Sequence, residues 1–178
     1  DRMVAGPGVM QRDGTMKQEP RMDAKAVGDA VAYMAGLARD VGGGTLDAKA
    51  FTVAATELVR ERPAVTHVSW VGAQRELRAT HAASFFHPEV NPSGGAIAPE
   101  LPASGVASEA ERAFNIARTL RGPVYSAAYR SASGSPAFQL QVPVFEQARF
   151  AGVLVTEYAI EPMLRQMVPP EVTQRHTV

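Results

Sequence analysis

The sequence predicts a single domain of the α+β class: a five-stranded antiparallel sheet with long N-terminal helices on one face and a helical or loop crossover segment over the other. Three observations predict it. Residues 136–160 form two apolar runs joined by a short polar turn, which is the pattern of a long β-hairpin. Two stretches with helical spacing precede the first strand. Residues 81–105 make a connection far longer than the usual length of about 4–6 residues.

The helices come first along the chain, after residues 1–22, which lack sustained periodicity and are expected to form a loose leader. The domain itself is expected over residues 23–170. Asp23 is a candidate N-cap, and the helix after it carries an apolar stripe and stops at Gly42; the stripe is Val27, Ala30, Val31, Met34, Leu37 and Ala38. A second helix begins after Thr45 or Asp47 and ends before Pro63; its apolar face is Phe51, Ala54, Ala55, Leu58 and Val59.

Two strands and a third helix follow. The strands are expected at residues 65–71 and 77–80, joined by a polar turn. Ser108 with Glu111 three residues later is a capping box, which marks the start of a helix that ends near Gly122. The crossover between the second and third strands therefore contains an irregular segment and a helix. Long irregular segments inside compact domains are often lids or binding loops.

Three more strands complete the predicted sheet, the first of them at residues 124–129. In the final hairpin, apolar residues alternate with Gln139 and Gln141, so one face meets the core and the other meets water or a ligand. Residues 150–160 are apolar at nearly every position except Thr156 and Glu157, which is typical of a central strand covered on both faces. A short helix is expected at residues 161–167.

Composition and motifs exclude several classes of function. Lysine plus arginine equals aspartate plus glutamate, 18 each, so no basic field favours a nucleic-acid partner. The absence of cysteine excludes thiolate catalysis and cysteine-ligated metals. The four histidines do not have the spacing of a metal site; they are His67, His81, His87 and His176. Phosphate-loop and hydrolase motifs are missing as well, so we expect no enzyme activity, metal or cofactor. No run approaches the roughly 20 apolar residues of a membrane helix.

The end of the sequence predicts that the chain is a piece of a longer protein. The proline-containing residues 168–171 interrupt the domain, and residues 175–178 begin another strand-like pattern. We therefore expect residues 171–178 to start a following segment.

The order and spacing of these pieces resemble PAS-like domains. With long helices in front and a short helix behind, the chain is similar to the Cache or PDC sensor domains outside the membrane in bacterial receptors, and more narrowly to those of sensor histidine kinases. The resemblance covers about residues 23–167. It rests on VTHVSWV at 65–71 with its turn into ELR at 76–78, GPVYS at 122–126, VPV at 142–144 and RFAGVL at 149–154.

The resemblance implies a signal-transduction role in a two-component system rather than catalysis. Such domains bind small molecules, often carboxylates or amino acids, between the sheet and the crossover segment, and shift the helices that lead to the membrane. It implies a periplasmic, extracytoplasmic part of an inner-membrane protein, attached through flanking helices outside this sequence, and a homodimer through the N-terminal helices. The aromatic, arginine and aspartate set of amino-acid-binding members is not evident, since Thr156, Glu157 and Tyr158 stand where an aspartate is expected. The ligand class is therefore open.

Several side chains are candidates for ligand contact. Arginine can clamp a carboxylate, tyrosine and tryptophan can form pocket walls with a polar tip, and glutamine and threonine can orient a ligand by hydrogen bonds. The candidates are Arg118, Tyr125, Tyr129, Gln139, Gln141, Thr156, Tyr158 and Trp70. Two other functions stay open: a ligand-free dimerisation or protein-contact module using the stripe at Val31, Met34, Leu37 and Ala38, and a small enzyme using Glu157 or a histidine as base.

Overall fold

The computed structural model describes residues 9–10, 16–17, 24–83 and 99–167, with side chains placed for residues 29–83 and 99–165. In the predicted leader, β1 (Val9–Met10) and β2 (Met16–Lys17) pair antiparallel. Phe85 and Phe86, two adjacent aromatic residues of the crossover segment that could cap a ligand or anchor the loop in the core, lie outside the described ranges, as do residues 168–178.

The two predicted N-terminal helices are α1 (Ala24–Gly42) and α2 (Ala48–Glu61). Asp47, one of the two proposed caps of α2, accepts a hydrogen bond from the backbone N–H of Ala50 at 2.8 Å. Thr45, the other, instead donates to the carbonyl of Asp40. The proposed cap of α1, Asp23, lies outside the described residues.

The main sheet has six strands rather than five. They are β3 (Val65–Gly72), β4 (Leu77–Ala82), β5 (Val124–Tyr125), β6 (Tyr129–Arg130), β7 (Pro136–Glu146) and β8 (Arg149–Ala159), in the order β4-β3-β8-β7-β5, with β6 also on β7. All pairs are antiparallel. β8 lies between β3 and β7, as its apolar run predicts.

The extra strand arises because the predicted strand at residues 124–129 is interrupted. After Tyr125, the hydroxyl of Ser126 accepts a hydrogen bond from the backbone N–H of Gln139 at 2.9 Å. This side chain replaces a backbone partner, so regular pairing stops and resumes only at Tyr129, opposite Ala137. One predicted strand thus becomes the two short strands β5 and β6.

Helices cover both faces of the sheet, as predicted. We call the face under α1 and α2 the helix face; its core includes Met34, Phe51, Val68, Leu140 and Leu154. The opposite face, called the crossover face, carries α3 (Glu109–Leu120), which packs on Val71, Val124, Val153 and Val155. Ser108 caps α3 by accepting from the N–H of Glu111 at 3.1 Å. The last helix, α4 (Ile160–Met167), continues directly from β8.

The apolar stripe of α1 is used inside the domain. Met34, Leu37 and Ala38 are at most 7% exposed and belong to the core of the helix face, and Val31 packs against it. The idea that this stripe is a dimer interface is therefore wrong, because its surface is already buried against the sheet. Within the described residues, no helix is long and apolar enough to cross a membrane.

Candidate functional site

Buried polar side chains are concentrated on one part of the crossover face. All seven buried polar residues of the described chain lie in β3, β7 and β8, and six of them point to this face; they are Thr66, His67, Ser69, Gln139, Gln141 and Glu157. The half of the face toward the β3–β4 and β7–β8 turns is apolar and packs on α3. The other half is polar, and burying such groups is costly unless each finds a partner. We call Thr66, His67, Tyr129, Gln139, Gln141 and Glu157 the polar cluster.

Glu157 is the centre of the polar cluster. Its carboxylate is 2% exposed and accepts hydrogen bonds from residues of two other strands. Thr66 donates to Oε1 at 2.8 Å, and Nδ1 of His67 lies 3.3 Å from the same oxygen. Tyr129 donates its hydroxyl to Oε2. A buried carboxylate held by three donors is a strong local acceptor in a low-dielectric setting.

An irregularity in β3 brings two of these donors together. The pairing of β3 with β8 shifts between Val65 and His67, so two residues of β3, Thr66 and His67, stand opposite the single residue Glu157. Such a β-bulge places one extra residue against the partner strand. As a result, both side chains reach the same carboxylate oxygen.

The surroundings keep Glu157 ionised at neutral pH. Burial raises the pKa of its carboxyl, but the hydrogen bonds from His67, Tyr129 and Thr66 together outweigh burial and hold the pKa below its usual value. Burial and the neighbouring Glu157 charge raise the pKa of Tyr129 far above the ordinary value for tyrosine. The phenol therefore stays neutral and acts as a donor to the carboxylate.

The two glutamines link the sheet to the crossover segment. Gln139 donates from Nε2 to the Tyr129 hydroxyl at 2.8 Å and to the carbonyl of Glu100. Gln141 donates from Nε2 to the carbonyl of Ala110 in α3 at 2.9 Å. Both side chains are fully buried, so the interpretation of Gln139 and Gln141 as solvent contacts is wrong. Within the described residues the Oε1 atom of Gln141 has no hydrogen-bond partner, which leaves a buried acceptor unused.

A second carboxylate borders the polar cluster. Glu100 lies just before α3, and burial raises the pKa of its carboxyl despite hydrogen bonds from Ala110 and Ser108; the charge of Glu157 acts in the same direction as burial. The formal charges assembled here are thus two carboxylates and, when protonated, the imidazole of His67. This composition favours a partner that donates hydrogen bonds or carries positive charge.

The structure brings together three of the eight side chains that the sequence singles out, Tyr129, Gln139 and Gln141. The other candidates of the sheet lie on the helix face or its edge. Thr156 and Tyr158 are buried there, and Trp70 packs its ring on Phe51 with centroids 6.0 Å apart. Tyr125 is exposed at the edge and lies 5.9 Å from the ring of Phe138. Ligand contact by these residues stays a prediction, and they do not share a site with the polar cluster.

Arg118 is also separate from the polar cluster. It is exposed on α3, and its guanidinium lies 5.7 Å from the ring of Phe150, next to the apolar half of the crossover face. Arg118 and Tyr125 lie on opposite faces of the sheet, so these two candidates do not share one site.

Sequence reasoning undervalued three residues of the polar cluster. From the sequence, Thr66 stands only as part of a strand, His67 as one of the histidines without metal-binding spacing, and Glu157 as an interruption of an apolar run; Glu157 or a histidine is also a possible base. The available signal was the charge itself, because a carboxylate in a strand buried on both faces requires partners. The β-bulge that supplies two of them has no sequence signature here.

The fold matches known extracellular domains. The extracellular domain of soHK1S-Z6, assigned as a histidine kinase, superposes with a TM-score of 0.59 at 15% identity over 80% of this chain and 57% of that chain. The ligand-binding domain of the Pseudomonas aeruginosa amino-acid chemoreceptor PctB, in complex with L-Gln, gives 0.55 at 10% identity over 80% of this chain and 52% of that one. The ligand-binding domain of the P. aeruginosa amino-acid chemoreceptor PctC, in complex with GABA, superposes with a TM-score of 0.51 at 12% identity, over 79% of this chain and 56% of that chain.

These likenesses confirm the fold that the order of strands and helices predicts. The chain spans only slightly more than half the length of each of these structures. No protein-family model matches the sequence. No curated protein shows significant sequence similarity to it.

Proposed function

We propose that this chain, which shares its fold with extracellular domains of histidine kinases and chemoreceptors, is a ligand-sensing domain of a membrane receptor. In this proposal it lies on the periplasmic side of an inner membrane, binds a small molecule at the polar cluster, and performs no catalysis itself. One observation carries the proposal: the carboxylate of Glu157, buried on the crossover face and held by Thr66, His67 and Tyr129. Among the structures with this fold, PctB was solved with L-Gln and PctC with GABA.

The polar cluster favours a ligand with a protonated amine. A carboxylate offers about four acceptor positions, and three donors, Thr66, His67 and Tyr129, fill all but one of those of Glu157. The unused Oε1 of Gln141 is a second acceptor on the same face. An ammonium group carries three donors and a positive charge, so it complements both. A ligand carboxylate would instead be repelled by Glu157 and Glu100, so an amino acid would place its amine here.

Binding requires part of the structure to move. The cavity beside Glu157, bounded by the turn at residues 131–135, has a volume of about 10 Å³, room for a single water. A larger ligand must displace that turn or the segment at residues 99–103, which Gln139 holds through the carbonyl of Glu100. A ligand that binds the open form better shifts the population toward it, by no more than its difference in affinity for the two forms.

The signal would leave the site along β8. Glu157 lies three residues before Ile160, the first residue of α4. The intervening Tyr158 stacks on Phe138 with ring centroids 5.2 Å apart and packs in the core that also holds α1. A displacement of Glu157 therefore reaches α4 through the backbone and α1 through the core. We further propose that the receptor is a homodimer through the exposed side of α1, which carries Tyr33.

A thermal-shift screen of the intact chain tests the proposal. The ligands are amino acids and simple amines, each compared with the analogue that lacks the amine. At about 100 times its dissociation constant a ligand adds about 2.7 kcal/mol, several degrees for a domain of this size. Glu157→Gln should abolish the shift.

Thr156→Val is the matched control, because Thr156 is the adjacent residue on the opposite face and its hydroxyl has no partner within the described residues. A shift that the deaminated analogues reproduce, or that survives Glu157→Gln, would contradict the assignment. No shift together with a concentration-dependent mass would favour the protein-contact function instead.

A further inference from the structure

We propose a second ligand site, for a small organic carboxylate with an apolar body, in a groove on the helix face. The groove lies between α1 and the turn that joins α3 to β5, and has a volume of about 210 Å³. Its floor is apolar and includes Ala38, Pro123, Val142 and Phe145, and it also contains Arg39 and Arg121. Because the polar cluster lies on the other face of the sheet, this site does not depend on the function proposed above.

The two arginines make the groove cationic. They are its only charged lining residues, and neither has a carboxylate partner within the described part of the chain. Arg121 donates from Nη2 to the carbonyl of Ala148 at 3.2 Å and lies 4.2 Å from the centroid of the Phe145 ring. The guanidinium of Arg39 forms no hydrogen bond or ion pair within the described residues, and its Nη2 folds back along α1 toward Gly36.

Three other arginines of the described chain are neutralised by carboxylates. Arg75 pairs with Glu111, Arg78 with Glu76, and Arg112 with Glu109. Arg39 and Arg121 differ from these three in having guanidinium groups available to an anion. Arg118 and Arg149 also have no carboxylate partner within the described residues, but neither lines the groove. The charge of Arg39 and Arg121 and the apolar floor together define what the groove can bind.

The backbone at Arg121 supports a role for its side chain. Arg121 follows the last residue of α3 and has a left-handed conformation, with φ 55° and ψ 30°. Glycine or asparagine normally occupies such a position, because a larger side chain is strained there. Strained backbone conformations persist where the surrounding structure holds them, and they are common at functional sites. Here that conformation accompanies a guanidinium held against the floor residue Phe145.

The ligand class follows from these groups. A guanidinium binds a carboxylate through two parallel hydrogen bonds. The apolar floor removes the body of the ligand from water, as in most small-molecule sites. Inorganic phosphate would satisfy the charge but leave the floor uncovered. The occupant we infer is therefore an aromatic or short aliphatic carboxylate, and benzoate is a suitable probe.

The test is a titration of the intact chain followed by NMR of its backbone amides. Benzoate should perturb the amides of the groove, whereas benzamide, its neutral analogue, and inorganic phosphate should bind much more weakly. Arg39→Gln and Arg121→Gln should each weaken benzoate binding about tenfold, as expected for loss of one charged hydrogen-bond pair. Arg118→Gln is the matched control, since Arg118 is an exposed arginine of α3 outside the groove.

Arg39 is exposed, so its substitution leaves the core intact. Glu157→Gln should leave benzoate binding unchanged, which separates failure of this site from failure of the amine site. The proposal is overturned if benzoate does not bind at millimolar concentration, if benzamide or phosphate binds as tightly, or if Arg118→Gln weakens binding as much as the groove variants do.

Discussion

Tyr129→Phe is the sharpest perturbation of the polar cluster, because it removes one oxygen atom and preserves the ring. That hydroxyl donates to Oε2 of Glu157 and accepts from Nε2 of Gln139. Gln139 keeps its second acceptor, the carbonyl of Glu100. The main consequence is therefore a buried carboxylate that loses one of its three donors.

The size of the effect follows from that count. A hydrogen bond to a charged group contributes about 1.5–3 kcal/mol. We expect Tyr129→Phe to lower the free energy of unfolding by about 2 kcal/mol at pH 7. For a chain of this length, that corresponds to a fall in Tm of about 4–8 °C.

The effect should depend on pH with a definite sign. The pKa of folded Glu157 lies below its unfolded value, about 4.3. Ionised Glu157 therefore stabilises the fold above that pH, and this contribution is lost as the pH falls through the lower folded pKa. In the variant the folded pKa rises, because burial is unchanged while one lowering hydrogen bond is gone. The stability difference between the two proteins should thus narrow on acidification from pH 7 to below about pH 4.

Urea unfolding followed by circular dichroism measures this difference at both pH values. The matched control is Tyr125→Phe, since Tyr125 is half exposed and its hydroxyl has no hydrogen bond within the described residues. A loss below about 0.5 kcal/mol for Tyr129→Phe, the ordinary range for a surface change, would refute the reasoning. An equal loss for both variants, or a difference that widens on acidification, would do the same.

Two further predictions concern how α1 and α3 are held. A Cβ on Gly42 would overlap the carbonyl oxygen of Phe145, so Gly42→Ala should lower the free energy of unfolding in urea by about 1–3 kcal/mol. Gly36 lies in the same helix and a Cβ there would meet no heavy atom of a surrounding side chain closer than 3.9 Å, so Gly36→Ala should raise stability by up to about 1 kcal/mol. Equal effects of the two substitutions would contradict the close contact at Gly42. Arg75→Gln removes a bidentate, largely buried ion pair with Glu111 that joins the β3–β4 turn to α3, and should lower the free energy of unfolding by about 1–2 kcal/mol. The exposed pair of Arg78 with Glu76 should contribute less than about 1 kcal/mol. A larger loss for Arg78→Gln than for Arg75→Gln would contradict this role of the Arg75–Glu111 pair.

Much of the fold could be predicted because its signals are local. The 3.6-residue spacing of Met34, Leu37 and Ala38 gave the buried side of α1, and Ser108 with Glu111 gave the start of α3. The apolar run in β8 gave a central strand. The interruption between β5 and β6 was missed because it depends on a bond between Ser126 and Gln139, which are far apart in sequence.

The polar cluster was only partly predictable. The period of two placed Gln139 and Gln141 together on one face, and that placement is correct. The period of two does not say that this face is buried, because polar residues alternate in the same way on a strand that faces solvent and on one that faces a buried hydrogen-bond network. Thr156 and Tyr158 lie on the face opposite Glu157, because adjacent residues of a strand point to opposite faces, and the sequence of β8 does not say which face is which.

The sequence by itself determined the class of fold, the order of its elements and the apolar side of each helix, because these depend on spacings within a dozen residues. The tertiary structure alone decided that Glu157 is an ionised buried group and that Arg39 and Arg121 share a groove. The physical reason is that the environment of a charge is set by its neighbours in space. For Glu157 these neighbours come from β3 and β6, and only the register of the strands and the bulge in β3 bring them within hydrogen-bond distance.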